Sequence, residues 1–383
     1  MEKSNYRITL FCIVTSLFWF SMYAFVPNLP TYAETLGSSH RLIGLILGSY
    51  GFVQMLARIP LGIYSDRIGK RKIFIILGIV ISSLSALGMA IFPNPKALLI
   101  FRGMTGLAAA SWVTFTVLFS SYFNAEDASK SLGYLNAFNA LGQMLAMLLG
   151  GIVAKSFGLR APFFLSVTIG LLGIVLSFGI KEKIQSQSPL KISSLLAIGK
   201  EKNVLISSGL AVLIQIITFA TVYGFTPVAA ARLGADEFQR GLLTTLSTIP
   251  TIFASALSGS VFAKKAGAKR TIILSFVLFS ISCALIPIIK DLRVLYFTEV
   301  IGGFARGLVF PILMGISIGS VDVKMRGTAM GFFQSIYGLG MFLGPVLVGI
   351  ISDMASLSWG FWIISLLGII GSIISKIIVE DTF

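Results

Sequence analysis

The chain has little charge, a single histidine and two cysteines. Of its 383 residues, 56% are hydrophobic and 12% are charged, whereas a soluble domain carries about 25% charged residues. So few charges cannot cover a surface that faces water, which excludes an ordinary soluble fold. The only histidine, His40, falls in a predicted outer loop, which excludes a buried histidine proton relay. Cys12 and Cys283 stand alone and indicate neither a disulfide nor a metal site.

Sequence motifs of several catalytic classes are also missing. There is no H-E-x-x-H zinc motif, no G-x-S-x-G nucleophile elbow, no cysteine–histidine arrangement and no P-loop. These absences argue against an enzyme and against direct use of ATP. We therefore expect no catalytic residues, no cofactor and no metal.

Long apolar runs dominate the sequence. A helix needs about 20 apolar residues to cross a hydrocarbon core about 30 Å thick, and backbone groups in lipid must be paired within a helix or a closed barrel. The runs are too long and too evenly apolar for the alternating strands of a barrel, so we predict helices. The twelve predicted spans are 8–28, 42–64, 73–92, 97–120, 133–154, 161–180, 204–225, 241–262, 271–289, 293–318, 328–351 and 357–378.

Basic residues are distributed unevenly between the two ends of these spans. Nineteen of the 30 Lys and Arg residues fall on the side of the N-terminus, eight fall on the other side, and Arg58, Arg102 and Arg306 lie inside spans. Positive charge concentrates on the cytoplasmic side, so we predict a multi-pass protein of the cell membrane with both termini in the cytoplasm. The net charge of +15 suits the anionic inner leaflet. The basic residues are scattered over many short loops and the tails, so they form no single basic face that would bind nucleic acid.

The sequence repeats itself once around a central linker. Residues 181–203 are polar and lysine-rich, with an apolar patch at 195–198 that suggests an interfacial helix, and six spans lie on each side. Positions in spans 5 and 6 recur in spans 11 and 12 at a constant offset of 198. The recurring pairs are Gly133 and Gly331, Gly142 and Gly340, Gly151 and Gly349, and Phe163 and Phe361.

Parallel repeats of this kind are a transporter architecture with the substrate site between the halves. We therefore predict an all-α membrane protein with 12 transmembrane helices in two pseudo-symmetric six-helix bundles. The first bundle covers residues 1–180, the cytoplasmic linker covers 181–203, and the second bundle covers 204–383.

The loop after the second span carries an acidic residue among basic ones. It reads GIYSDRIGKRK over residues 62–72. Asp66 at the membrane edge can pair with Arg67 or Lys70, and Gly69 lets a very short loop turn. A loop that only follows the positive-inside rule has no need of Asp66.

This loop resembles the signature of the major facilitator superfamily, G-x-x-x-D-R-x-G-[RK]-[RK]-[RK]. The resemblance implies a latch that holds the two halves together on the cytoplasmic side in the outward-open state. Its first glycine would permit close approach of helices. The second half departs from the pattern, since Lys264 stands where an acid would fall, which makes the latch asymmetric. The predicted latch residues are Gly62, Asp66, Arg67, Gly69, Lys70 and Arg71.

Two further motifs resemble the family in part. Arg102 in span 4 lies in a context similar to l-x-x-x-R-x-x-q-G-x-x-a-a of proton-coupled members, with Thr105 in place of glutamine. The resemblance implies a role in proton coupling, and the alternative is a structural arginine bonded to neighbouring carbonyls. An arginine inside a membrane span is energetically costly unless it is paired or solvated by water. Arg102 should therefore face the interior of the protein. Span 5 keeps the glycines of the antiporter signature, but residues 146–147 are Ala-Met instead of Gly-Pro, and the Gly-Pro pair occurs at 344–345 in span 11.

Polar residues inside spans mark a possible pathway. Asn136, Asn139 and Gln143 share one face of span 5, and Gln334 and Tyr337 occupy the equivalent positions of Asn136 and Asn139 in span 11. We interpret them as the walls of a central aqueous cavity, and interhelical hydrogen bonding is the alternative.

Aromatic residues could form another wall of such a cavity. Trp19, Phe20 and Tyr23 in span 1 and Trp112 in span 4 would suit a lipophilic or planar solute. Residues of this kind are also common at lipid-facing and interfacial positions.

Glu299 is the only carboxylate well inside a predicted span. It lies two helical turns, or about 10 Å, from Arg306 on the same face. With no buried histidine available, we expect Glu299 to be the proton-coupling group. The alternative is a static charge pair with Arg306 or Arg102. The two arginines could instead meet an anionic substrate.

Together these patterns favour a secondary transporter that moves a small solute by alternating access, driven by protons, as a monomer in the bilayer. The chain is most similar to the twelve-span drug:proton antiporter branch of the superfamily, which implies efflux of small organic molecules. The alternatives are uptake of an anionic metabolite, or a non-transporting membrane sensor on the same fold.

Overall fold

The structure is a computed structural model that describes residues 2–123, 128–182, 197–319, 321–322 and 325–379. The regular elements in these ranges are all helical. Fifteen α-helices carry the architecture: α1 (Glu2–Tyr23), α2 (Leu29–Thr35), α3 (His40–Ile68), α4 (Arg71–Ile91), α5 (Pro95–Ala110), α6 (Trp112–Ser120), α7 (Ala128–Phe157), α8 (Ala161–Ser177), α9 (Lys202–Ala220), α10 (Thr226–Arg232), α11 (Glu237–Leu257), α12 (Ala268–Leu285), α13 (Leu292–Gly319), α14 (Arg326–Met354) and α15 (Leu357–Ile378).

Eleven helical stretches in the described part of the chain are long and apolar enough to cross a membrane. The remaining predicted span, 161–180, contains the shorter apolar helix α8 of 17 residues. The all-helical membrane class is therefore confirmed. Residues 183–196 of the predicted linker, and with them half of its predicted interfacial helix, lie outside the described residues.

Several of the predicted spans are interrupted, including the eighth, in which α11 passes into a π-helical segment at Ser258–Ala263. A 3₁₀ turn at Val26–Asn28 separates α1 from α2, and a π-helical segment at Thr221–Phe225 separates α9 from α10. A proline stands at the start of each following segment, where its missing N–H breaks the regular hydrogen-bond ladder. The fourth span divides at Ser111, between α5 and α6. Tyr23 ends the helix before the interruption of the first span, and Tyr223 lies within that of the seventh.

We refer to α1–α8 and α9–α15, the helices on either side of the predicted linker, as the first and second groups of helices; they meet along two seams. The α3 helix packs along α14, and α7 packs along α11. Glycines permit the close approach. A Cβ atom on Gly44 would lie 2.3 Å from the carbonyl oxygen of Pro345, and one on Gly241 would lie 2.5 Å from that of Met147.

The contacts between α3 and α14 extend from Gly44 as far as Arg58, which bonds to Gln334. Added Cβ atoms at Gly133 and Gly331, near the opposite ends of α7 and α14, would meet no atom within 4 Å. In the described residues, contacts between the groups therefore begin at the end that carries residue 40, called the closed end, and none is seen at Gly133 or Gly331, at the end called the separated end. By the predicted orientation, the separated end faces the cytoplasm.

Candidate functional site

Arg102 lies in an aromatic pocket in the first group of helices. The side chain is buried, and its guanidinium carbon stands 4.6 Å from the ring centroid of Tyr50 and 5.7 Å from that of Phe25. Its Nη1 atom donates to Thr105 Oγ1 at 3.4 Å, and its Nε atom has no partner. No carbonyl accepts from this guanidinium within the described ranges, so the predicted carbonyl bonds are wrong. Cation–π contacts take their place.

Tyrosine rings connect the two groups of helices at the same depth. Tyr23 and Tyr223, which border the interruptions of the first and seventh spans, pack edge to face with centroids 5.7 Å apart. Trp19 and Trp112 pack at 5.2 Å. Trp19, Tyr23 and Trp112 are all buried, so the alternative that they face lipid is wrong. They form the interior aromatic wall.

Arg58 is a site residue to which the sequence analysis assigned no role. Its Nη1 atom donates across the α3–α14 seam to Gln334 Oε1 and Tyr337 Oη, each at 3.2 Å, and to the Gln334 carbonyl at 3.4 Å. Its Nε atom is buried without an acceptor. The available signal was that an arginine inside a span is costly and therefore functional by default. The structure thus brings two predicted cavity residues, Gln334 and Tyr337, to one guanidinium.

The polar residues of α7 are placed differently from those of α14. Gln143 Nε2 donates to Asn139 Oδ1, both side chains are half-buried, and Asn136 is exposed. They continue the side of α7 that contacts α11 farther along at Met147 and Gly151. Within the described part of the chain, they make no hydrogen bond to the second group of helices. Their position at the separated end suits the predicted cavity wall.

Glu299 is buried on α13 within electrostatic range of Arg306 but without a direct ion pair in the described residues. The side chain is 5% exposed, and its Oε2 atom has no hydrogen-bond partner. The hydroxyls of Ser247 and Thr226 lie next to the carboxyl, and these two buried oxygens also lack partners at hydrogen-bond distance. Neither Arg102 nor Arg306 forms an ion pair with Glu299 in the ranges that the structure describes. The predicted alternative of a static charge pair is therefore wrong.

Arg306 bonds to α11 and not to Glu299, and its Nη1 atom is buried without a hydrogen-bond partner. Its Nη2 atom donates to Thr251 Oγ1 at 2.9 Å and to the Ser247 carbonyl at 3.4 Å. The guanidinium carbon lies 5.7 Å from the ring centroid of Tyr223. Two turns of one helix separate Glu299 from Arg306. The guanidinium of Arg306 is bound by neutral acceptors on α11.

The predicted cytoplasmic latch has a different pairing from the expected one. Asp66 Oδ1 accepts from Arg71 Nη2 at 2.7 Å, whereas Arg67 and Lys70 are exposed. Gly69, at φ 68°, ends α3 in the left-handed conformation and returns the chain directly into α4. This tight turn places the first side chain of α4 beside Asp66.

Two further details of this loop differ from expectation. Glu182, in the predicted linker, accepts hydrogen bonds from the backbone N–H groups of Arg71 and Lys72 at the start of α4, where a helix favours negative charge. A Cβ atom on Gly62 would meet only Val113, at 3.9 Å. The predicted need for glycine at a close helix approach is therefore wrong in this conformation.

At the closed end, Asp353 of α14 binds the start of α3. Its two carboxylate oxygens accept from the backbone N–H groups of His40 and Arg41 at 2.9 Å each, and the His40 Nδ1 atom lies 3.2 Å away. Glu34 and Arg232 approach the other ring nitrogen of His40 at 3.6 and 3.0 Å. The predicted outer-loop position of His40 is wrong, because the residue begins α3 at the seam.

A second charged contact closes the other seam. Lys155 Nζ on α7 lies 2.8 Å from Asp236 Oδ2, and Asp236 caps α11 by accepting from the Gln239 N–H. Burial alone would raise the pKa of Asp236, but the Lys155 ammonium and the backbone N–H groups of Phe238 and Gln239 lower the pKa overall. Lys155 and Asp353 are separated by the repeat offset of 198, so equivalent positions carry opposite charges in the two contacts.

Comparison with known proteins agrees with this architecture. The sequence matches the family model described as Major Facilitator Superfamily over residues 11–210 and 205–382. It is 27% identical over 399 residues to an uncharacterised MFS-type transporter of Methanocaldococcus jannaschii, with 99% of each chain covered. It is 24% identical over 372 residues to multidrug resistance protein 2 of Bacillus subtilis, with 92% of each chain covered. The crystal structure of a mutant of the nucleoside transporter NupG superposes with a TM-score of 0.84 at 15% identity, over 98% of this chain and 100% of that one.

Proposed function

The chain belongs to the major facilitator superfamily, and from that premise we propose that it is a proton-coupled secondary transporter that exports small organic molecules. That it is a membrane transporter and not an enzyme follows from the family and its relatives. The coupling ion, the direction of transport and the class of solute are the parts that we propose. The observation that carries the proposal is the unpaired carboxyl of Glu299.

Glu299 has the surroundings of a group that binds and releases a proton. An isolated ionised carboxylate in a protein interior is costly, and binding a proton removes its charge. The two neighbouring hydroxyls, of Ser247 and Thr226, can donate to the ionised form or accept from the protonated form. Glu299 also lies on α13 next to the interrupted seventh span, where a rearrangement of the helices would change its exposure.

The one-sided seams support alternating access. The groups α1–α8 and α9–α15 make glycine-lined contacts and charged contacts at one end, and they separate at the other. We propose that this is the inward-open form, that both termini lie in the cytoplasm, and that the groups act as two rocking units in a monomer. The pair of Asp66 and Arg71 would then belong to the cytoplasmic latch, which closes in the outward-open form.

Relatives support the direction of transport. Similarity to multidrug resistance protein 2 of Bacillus subtilis extends over 92% of both chains, and the interior aromatic wall suits an organic solute. We therefore propose export of small organic molecules across the cell membrane.

Substitution of Glu299 tests the coupling role. A thermal-shift screen of purified protein across drugs, sugars and organic acids first supplies a solute. In proteoliposomes, Glu299→Gln should abolish uphill accumulation driven by a proton gradient and should retain solute exchange, because glutamine keeps the shape of the side chain but binds no proton. Glu201→Gln is the matched control, since Glu201 is exposed at the start of α9. Normal uphill transport by Glu299→Gln would show that the coupling role is wrong.

A further inference from the structure

We infer that the transported solute is an aromatic organic acid, and that Arg58 binds its carboxylate group at the seam between α3 and α14. The inference rests on the proposed function, because it assigns a chemical class to the solute of the same site. Four observations carry it: the charge balance of the interior, the partners of Arg58, the rings around it, and the position of Glu299.

The interior of the bundle holds more positive than negative charge. Arg58, Arg102 and Arg306 lie well inside the helices and are 3%, 2% and 8% exposed. Glu299 is the only carboxylate at a comparable depth in the sequence. No ion pair reaches any of the three guanidiniums in the described part of the chain. Unpaired charges inside a membrane are costly and mark substrate or ion pathways, and a bound anion would balance them.

Arg58 is held by neutral acceptors that an anion can replace. Its bonds to Gln334 and Tyr337 measure 3.2–3.4 Å, whereas a guanidinium bonds a carboxylate at about 2.7–2.9 Å. The unpartnered Nε atom and a neighbouring Nη atom present the fork that matches both oxygens of a carboxylate. Gln334 and Tyr337 belong to the opposite group of helices, so an arriving acid group would also alter the link between the groups.

Aromatic rings pack near Arg58 and Arg102. Tyr50 lies within electrostatic range of both Arg58 and Arg102, and its ring stacks near-parallel to Phe219 with centroids 5.9 Å apart. The ring of Phe310 packs edge to face on Tyr337 at 5.4 Å. Flat apolar surfaces with phenol hydroxyls at their rims suit a planar body that carries one acidic group.

A cationic solute fits the same cluster poorly. Three guanidiniums would repel it, and the cluster offers one carboxylate, Glu299, to bind it. A neutral solute would leave the interior charge unbalanced. An acid with an aromatic body satisfies both the charges and the rings.

Three probes of matched shape test the assignment: 2-naphthoate, its neutral amide 2-naphthamide, and the cation 2-naphthylmethylammonium. Binding to the purified full-length protein is measured by calorimetry and by thermal shift. We expect 2-naphthoate to bind at least tenfold more tightly than the amide and the ammonium. Arg58→Gln should weaken 2-naphthoate binding by roughly 10- to 100-fold, as expected for a hydrogen bond to a charged group. The same variant should leave amide binding unchanged, so that the acid-to-amide ratio falls to about one.

Two further variants separate a binding role of Arg58 from a structural one. Arg58→Lys keeps the charge and loses the fork, so it should give an intermediate ratio. Arg293→Gln, at an exposed arginine near the start of α13, should leave the ratio unchanged. If Arg58→Gln does not fold, the Lys variant still decides, because a purely structural role would leave the ratio at the wild-type value.

Each outcome bears on one of the two proposals. Equal binding of acid and amide, preference for the ammonium, or no binding of any probe would overturn the assignment of an organic acid. Transport of the ammonium in counterflow, without binding of the acid, would overturn that assignment and leave the transport proposal standing. Tight binding of 2-naphthoate without exchange across proteoliposomes would overturn the proposed function instead.

Discussion

Replacing Gly44 with alanine should open the closed end of the molecule. The added Cβ atom would lie 2.3 Å from the carbonyl oxygen of Pro345, 2.9 Å from its carbonyl carbon and 3.2 Å from the Cα atom of Val346. All three are backbone atoms, so no side chain can rotate away. Because Cβ atoms essentially never approach another atom within 3.0 Å, α3 and α14 would have to separate by roughly 1 Å at this point.

The expected magnitude follows from the cost of overpacking. Inserting one methyl group into a well-packed contact costs about 1–3 kcal/mol. In the proposed outward-open form the two helices would be apart at this end, and the cost would disappear. A difference of this size shifts the ratio of the two forms by about 5- to 150-fold. Alanine also stabilises a helix by about 0.5–1 kcal/mol relative to glycine, but this stabilisation is the same in both forms.

Electron–electron distance measurements between spin labels provide the assay. Labels on Ser156 and Lys290, two exposed positions at the closed end of opposite groups, report the separation directly after both native cysteines are replaced with serine. Gly44→Ala should increase the long-distance population at least about fivefold. Gly331→Ala, where an added Cβ meets nothing within 4 Å, carries the same helix gain and should leave the distances unchanged. A Gly44→Ala protein with lower thermal stability but an unaltered distance distribution would refute the reasoning.

Two further substitutions test the charged contacts at the two ends. Asp66→Asn removes the carboxylate of the latch that we propose to close in the outward-open form, so it should favour the inward-open form, which faster labelling of a cysteine at Asn136 would detect; an unchanged rate would count against the latch. Asp236→Asn removes the contact with Lys155, whose side chains are 56% and 32% exposed, so it should destabilise the closed end by at most about 1 kcal/mol. Because the pKa of Asp236 is lowered from its usual value of about 4, its contribution is lost only as the pH falls through that lowered pKa. The effect on the spin-label distances should therefore be equal at pH 5.5 and pH 8.0, and a difference between them would show that another group is titrating.

Several features of the site could be anticipated because they depend on the chain alone. A carboxylate or arginine inside an apolar run is costly in any arrangement of the helices, so Glu299, Arg102 and Arg306 were identified before any contact was known. The offset of 198 likewise indicated that Gln334 stands where Asn136 stands in the other half. The same argument from energetic cost applied to Arg58. Until its hydrogen-bond partners were known, there was no reason to single it out from the other arginines inside spans.

Other features could not be anticipated because they depend on where distant residues meet. Asp66 has basic residues at four nearby positions, and only the turn at Gly69 selects Arg71 as its partner. His40 reads as a loop residue until Asp353, 313 residues later, is seen to bind the start of α3. The equivalent polar residues of α7 and α14 also differ, since Gln334 has an arginine across its seam and Asn136 does not.

The amino-acid sequence by itself determined that this protein is a bundle of membrane-crossing helices. The length of an apolar run and the need to pair backbone groups within it are local properties that lipid enforces. Only the tertiary structure decided which charges are paired, which end is closed, and that Arg58 faces the second group of helices across a seam. These outcomes depend on close approaches between helices far apart in the chain, and a local pattern carries no information about such contacts.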